Sequence, residues 1–128
     1  MLDYRLSDET EALRTTVREF AREVIAPQIG EFYERDEFPV HIVRQMGELG
    51  LFGLPFPEEY GGGGGTYFDL CVVLEELARV DSSMAITVEA GVSLGAMPIY
   101  RFGTEEQKQQ WLPRLCTGEV LGAFGLTE

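Results

Sequence analysis

The sequence predicts an all-α fold of five to six helices that ends at the start of a strand. Three observations predict it. Apolar residues recur three and four positions apart in five separate stretches, the spacing of one helix face. Hydroxyl side chains or a proline stand where those stretches open, and glycine or proline where most of them close. After Gly118 the pattern changes to a run that is apolar at both parities, as in a buried strand.

The first helix opens at Ser7, whose hydroxyl can accept from unpaired N–H groups of the first turn. Asp8 and Glu9 follow, where the helix dipole favours negative charge. Leu13, Val17, Phe20 and Val24 make its apolar stripe, and Pro27 should kink or end it. Pro39 suits the first turn of the second helix. Ile42, Met46 and Leu49 form its buried face, and Gly50 its C-terminal cap. The next seven residues, 51–57, are too apolar for a solvated loop and should enter the core.

Five consecutive glycines follow at 61–65. A phosphate cradle would need a Gly-Lys-Ser/Thr continuation or a preceding strand, and neither is present. A tight turn followed by slack is the better reading. Thr66 and Asp69 form a capping box for the third helix, with Leu70, Leu74 and Leu77 on its inner face. Glu75, Glu76 and Arg79 fall off that face and read as solvated or locally paired. Ser82 or Ser83 caps the fourth helix, residues 84–102. That segment carries Glu89, two glycines and Pro98, and so falls short of a clean membrane span. Its small residues leave room for a close neighbour, either another helix or a ligand chain. Thr104 and Gln107 box the fifth helix, with Trp111, Leu112 and Leu115 as its apolar face. Pro113 should bend or end that helix, and Gly118 should close it.

A chain of 128 residues is one domain's worth and can bury a core. The net charge of −12 argues against nucleic acid and against an anionic membrane surface. Cys71 and Cys116 stand in no metal or redox spacing, and read as buried small hydrophobes in a reducing, cytoplasmic setting. No basic stretch followed by an apolar core opens the chain, so no signal peptide is expected. Hydrolytic chemistry lacks its parts: His41 is the single histidine, and no nucleophile elbow accompanies it. One histidine and two distant cysteines make no zinc site, so no metal is expected. The paired glutamates are adjacent in sequence, and adjacent helical residues do not face one another.

The pattern Phe-Gly-Thr-Glu-Glu-Gln-Lys from Phe102, the Trp-Leu-Pro helix, Gly118-Glu119 and the closing Gly125-Leu126-Thr127-Glu128 resemble the acyl-CoA dehydrogenases. Glu75-Glu76-Leu77-Ala78-Arg79-Val80-Asp81-Ser82-Ser83 is again very like that family. The resemblance implies an orthogonal helical bundle over residues 1–118, the family's N-terminal domain. Residues 119–128 would be the first strand of its middle β domain, whose continuation is absent. It implies FAD as cofactor, contacted by Phe124, Gly125, Leu126, Thr127 and Glu128. Thr87, Ala90, Gly91 and Leu94 would line the acyl-chain pocket. The implied reaction is α,β-dehydrogenation of an acyl-CoA thioester, in fatty-acid or branched-chain acyl catabolism. The family's base lies in its C-terminal domain, so no catalytic residue is assigned in this chain. The 128 residues alone are expected to be inactive. The implied partners are acyl-CoA and electron-transfer flavoprotein, with a homo-oligomer (tetramer or dimer) as the assembly. A flavin monooxygenase or oxidase of the same fold is one alternative. A stand-alone helical interaction module is the other.

Overall fold

In the computed structural model, residues 5–127 are described. The chain runs through α1 (Asp8–Phe20), a π-helical turn (Ala21–Ile25), α2 (Ile29–Arg35), α3 (Val40–Glu48), a 3-10 turn (Glu58–Tyr60) and α4 (Tyr67–Ala78). It continues with α5 (Ser82–Glu89), a second π-helical segment (Ala90–Ala96), α6 (Met97–Phe102) and α7 (Glu105–Cys116). The all-α prediction holds, with the first and fourth segments each divided by a π-helical stretch.

The caps explain most boundaries. Ser7 accepts from the Thr10 N–H, and Thr66 and Thr104 form complete capping boxes with Asp69 and Gln107. The cap of α5 is Asp81, not Ser82 or Ser83, because its carboxylate takes the Met84 N–H at 2.9 Å. Before Pro27, α1 widens: the Ala26 N–H reaches back five residues to the Ala21 carbonyl, which is the π pattern. Pro113 does not end α7. The helix runs on to Cys116, forgoing only the bond that proline cannot donate.

The core forms where α1, α3, α4, α5 and α7 converge. Val17, Ile42, Met46, Val73, Leu77, Val88 and Leu112 are fully buried there. The apolar stretch after α3 enters the core as predicted, with Leu51, Phe52 and Phe56 buried. Three predicted core positions differ. Leu49 is exposed, since Ile42, Val43 and Met46 already complete the inner face of α3 and Leu49 is its C-cap. Trp111 is exposed because the inner face of α7 is Leu112, Leu115 and Cys116. Cys71 lies off the α4 face and is exposed, whereas Cys116 is buried.

The glycine run is not slack. Gly61 and Gly64 take φ of +79° and +65°, which side chains rarely adopt. The N–H groups of Gly62, Gly63, Gly64 and Gly65 bond back to the carbonyls of Pro57, Gly53, Phe56 and Leu54. Those donors are spent on the chain itself, and none is left to cradle a phosphate.

Polar ties fasten the helices. The Thr10 hydroxyl donates to Asp69 at 2.8 Å, joining the start of α1 to that of α4. Farther along, Arg18 holds Glu76 with two bonds of 2.8 and 3.0 Å. Glu76, expected to be solvated or locally paired, is buried on the same side as Val72, Val73 and Leu77. Tyr33 donates to Asp81, and Tyr60 to both oxygens of Glu105.

Candidate functional site

Four residues with a predicted role lie on one stretch of chain, the end of α5 and the π-helical segment after it. Thr87 is half-buried, and its hydroxyl donates to the Ser83 carbonyl at 2.8 Å. It borders an apolar cleft of about 150 Å³ whose wall includes Phe32, Tyr33, Phe38 and Met84. Ala90 is half-buried, and Leu94 is 39% exposed. Gly91 is different: it is buried, and a Cβ built there would stand 3.0 Å from the Phe52 ring. Its smallness admits a core aromatic, so of the four it offers least to a ligand.

The π-helical segment Ala90–Ala96 falls on this stretch. A π segment inserts an extra residue into the helical turn and recurs at functional sites. Nothing in the apolar spacing of residues 84–102 announced it. Its consequence is a local shift of register between α5 and α6.

The second predicted segment begins where α7 ends. Gly118 turns the chain with φ of +72°. The Val120 N–H then bonds the Arg114 carbonyl at 3.2 Å, and the Arg114 guanidinium pairs with Glu119 at 2.8 Å. Gly122 next crosses the π-helical segment. A Cβ on Gly95 would lie 2.5 Å from the Gly122 Cα, and a Cβ on Gly122 would lie 2.7 Å from the Gly95 Cα and 3.2 Å from the Gly91 carbonyl. Small residues on this helix were read as room for a helix or a ligand. At Gly95 the occupant is the chain's own closing arm.

Beyond Gly122 the chain is open. Phe124 is 53% and Leu126 77% exposed, and Gly125 has nothing within 4 Å of a built Cβ. Thr127 is exposed, and Glu128 lies outside the described residues. Residues 121–127 form no strand with any other described segment, and 124–127 make no hydrogen bond among the described residues. Donors and acceptors here are therefore available to a ligand or another segment. The structure thus brings the two predicted segments together at the Gly95–Gly122 crossing, two residues before Phe124.

The ionisable groups tell of packing. Hydrogen bonding from Arg18 lowers the Glu76 pKa, bonding from Thr66 lowers that of Asp69, and bonding from Gln109 and Tyr60 lowers that of Glu105. All three carboxylates are held ionised, whereas a carboxylate working as acid or base near neutrality is pushed up. Burial pushes the Cys116 thiol up to about 11, and the bond to Glu105 pushes Tyr60 up to about 12. His41 is exposed, with its Nε2 2.8 Å from the Gln28 side-chain oxygen. Among the described residues no three metal-binding side chains gather, and no helix is long and apolar enough to cross a membrane.

Comparison with known proteins adds a family to this geometry. Residues 7–119 match the model of the acyl-CoA dehydrogenase N-terminal domain. The chain is 46% identical over 127 residues to the probable acyl-CoA dehydrogenase YngJ of Bacillus subtilis, covering 99% of this chain and 33% of that protein. It superposes with a TM-score of 0.95 and 42% identity on a chain in the solved structure of the electron transferring flavoprotein of Acidaminococcus fermentans, covering 99% of this chain and 33% of that one. A third match is the acyl-CoA dehydrogenase complexed with FAD from Bacillus anthracis, with a TM-score of 0.91 and 38% identity, covering 100% of this chain and 22% of that one. The chain spans about a third of the length of the curated relatives it matches.

Proposed function

From the premise that this chain belongs to the acyl-CoA dehydrogenase family, as its N-terminal helical domain, we propose that it serves α,β-dehydrogenation of an acyl-CoA thioester by an FAD-dependent enzyme. The observation that carries the reading within this molecule is the crossing of Gly122 over Gly95. It sets a predicted acyl-pocket helix beside a predicted flavin-contacting arm.

The residues present fit a flavin. Gly125 has open space on its Cα, so a planar ring can approach the backbone. The N–H groups of residues 124–127 and the Thr127 hydroxyl are unengaged among the described residues. When bound, flavin supplies hydride-accepting chemistry. N–H and O–H donors from this arm would stabilise the negative charge that hydride transfer brings. Thr87, Ala90 and Leu94 keep accessible surface and are the pocket residues we retain from the predicted set. Gly91 contributes by admitting Phe52. No carboxylate of this chain is assigned as the base.

Electron-transfer flavoprotein as acceptor, favoured by the match to a chain in an electron transferring flavoprotein structure, and a cytoplasmic homo-oligomer belong to the same proposal. The test is to purify the whole gene product that carries this segment. It should retain flavin, reduce a dye only when an acyl-CoA is supplied, and sediment as a dimer or tetramer. A purified, folded product that retains flavin yet ignores every acyl-CoA offered would refute the dehydrogenase reading. The 128 residues alone should show no turnover.

A further inference from the structure

We propose that Gly95 and Gly122 are positioning residues. Their backbone-to-backbone contact sets where residues 124–127 stand relative to the helix bearing Thr87, Ala90 and Leu94. The inference rests on the function proposed above, in which those segments meet the flavin and the acyl chain.

Three observations carry it. First, the contact is reciprocal: a Cβ on either glycine would come within 2.5–2.7 Å of the other's Cα, so neither tolerates a side chain. Bringing the 2.5 Å approach to an ordinary 3.4 Å requires the arm to move by about 0.9 Å, the difference of the two. Second, Gly122 is the last fixed point of the arm. Upstream, Val120 and Glu119 are tied to Arg114. Downstream, residues 124–127 make no hydrogen bond among the described residues. A displacement at Gly122 therefore moves the anchor from which Phe124, Gly125, Leu126 and Thr127 extend, with no later tie among the described residues to restore their place. Third, the other side of the contact is the π-helical segment, with the Gly91 carbonyl and Gly95 Cα both against Gly122. The phase of that segment and the seat of the arm are set by the same three residues. Because oriented reactants lose rate steeply with misplacement, roughly a hundredfold for 1 Å, a shift of this size should be visible in catalysis.

The experiment has two arms. In the 128-residue chain, nuclear Overhauser contacts between the α-protons of Gly95 and Gly122 should be present, and their absence overturns the inference. In the same chain, Gly95→Ala should displace the amide resonances of residues 124–127, and unmoved resonances overturn it as well. In the whole gene product, Gly122→Ala and Gly95→Ala should alter the bound-flavin absorption spectrum and lower kcat by roughly ten- to a hundredfold. Gly62→Ala is the matched control, since its Cβ would strike the Phe56 carbonyl in the glycine loop. It should lower thermal stability and leave spectrum and kcat unchanged. If Gly62→Ala perturbs the flavin as much as Gly122→Ala does, the effect is general loosening and the positioning role is lost. A gene product without flavin or acyl-CoA activity would sink the proposed function, while the two resonance measurements would still decide the contact.

Discussion

Arg18 reaches from α1 to Glu76 on α4 with two hydrogen bonds, Nε at 3.0 Å and Nη2 at 2.8 Å. Glu76 is 2% exposed and Arg18 32% exposed, so one charge is buried and its partner opens to water. Arg79 adds a weaker approach to the same carboxylate at 3.9 Å. The asymmetry decides what each substitution does. Glu76→Gln keeps the shape and leaves an arginine that can hydrate, so the loss should be about 1 kcal/mol. Glu76→Ala also opens a void among Val72, Val73 and Leu77, and the loss should reach about 2–3 kcal/mol. Urea unfolding of both variants checks the order. Equal midpoints for Glu76→Ala and the parent chain would refute it.

Acid should unfold the protein in a window set by its paired carboxylates. The pKa values of Glu76, Asp69 and Glu105 are all lowered, from ordinary values of 4.5, 3.8 and 4.5. A lowered folded pKa means stability that is present above the ordinary value and lost as pH falls through the folded one. Protonating the many exposed acids relieves self-repulsion and works the other way. The difference between the parent chain and Glu76→Gln isolates the pair. That difference in melting temperature should be constant from neutral pH to about 5 and shrink below 4.5. A difference that grows on acidification would contradict the assignment.

Asp81 should matter more than its neighbouring serines. One oxygen accepts the Met84 N–H that opens α5, and the other accepts from Tyr33 at 2.8 Å. Asp81→Ala should cost about 1–2 kcal/mol, the upper range for a lost cap. Ser82→Ala should be near neutral. Thermal melts of the two variants would show whether the cap is the aspartate.

The two thiols should separate cleanly. Cys71 is exposed, whereas Cys116 is buried with its pKa pushed up to about 11. Reactivity needs thiolate and access, and Cys116 lacks both. Mass spectrometry after brief alkylation at neutral pH should find label on Cys71 alone, and on both after denaturation. Native labelling of Cys116 at a comparable rate would mean that α7 opens locally.

Gly125→Ala separates folding from function. Its surroundings are open, so the thermal stability of this chain should be unchanged within about 0.5 kcal/mol. Flavin retention by the whole gene product should nonetheless fall, because in the proposed function the added methyl group would stand where the ring approaches. Unchanged flavin retention would remove Gly125 from the cofactor contact.

Most of what depends on residues three or four apart was legible in the sequence, the Asp81 cap of α5 being an exception. Ser7, Thr66 and Thr104 cap where the pattern placed them, since a cap and the N–H it satisfies lie within one turn. The apolar stretch around Phe52 entered the core because burying it is favourable in almost any packing. Family membership came from the same local strings. What only the tertiary structure decided lies between residues far apart along the chain. Glu76 read as solvated or locally paired, whereas its main partner, Arg18, stands 58 positions away. Trp111 looked buried until Leu112, Leu115 and Cys116 took the inner face of α7. Gly95 read as room for a helix or a ligand and Gly122 as a strand position, because a missing Cβ shows its purpose only when the other backbone stands against it. Periodicity states which face is apolar. Which partner that face meets, and which buried charge is neutralised there, is settled by packing, which brings distant groups within a few ångströms and makes leaving them unpaired costly.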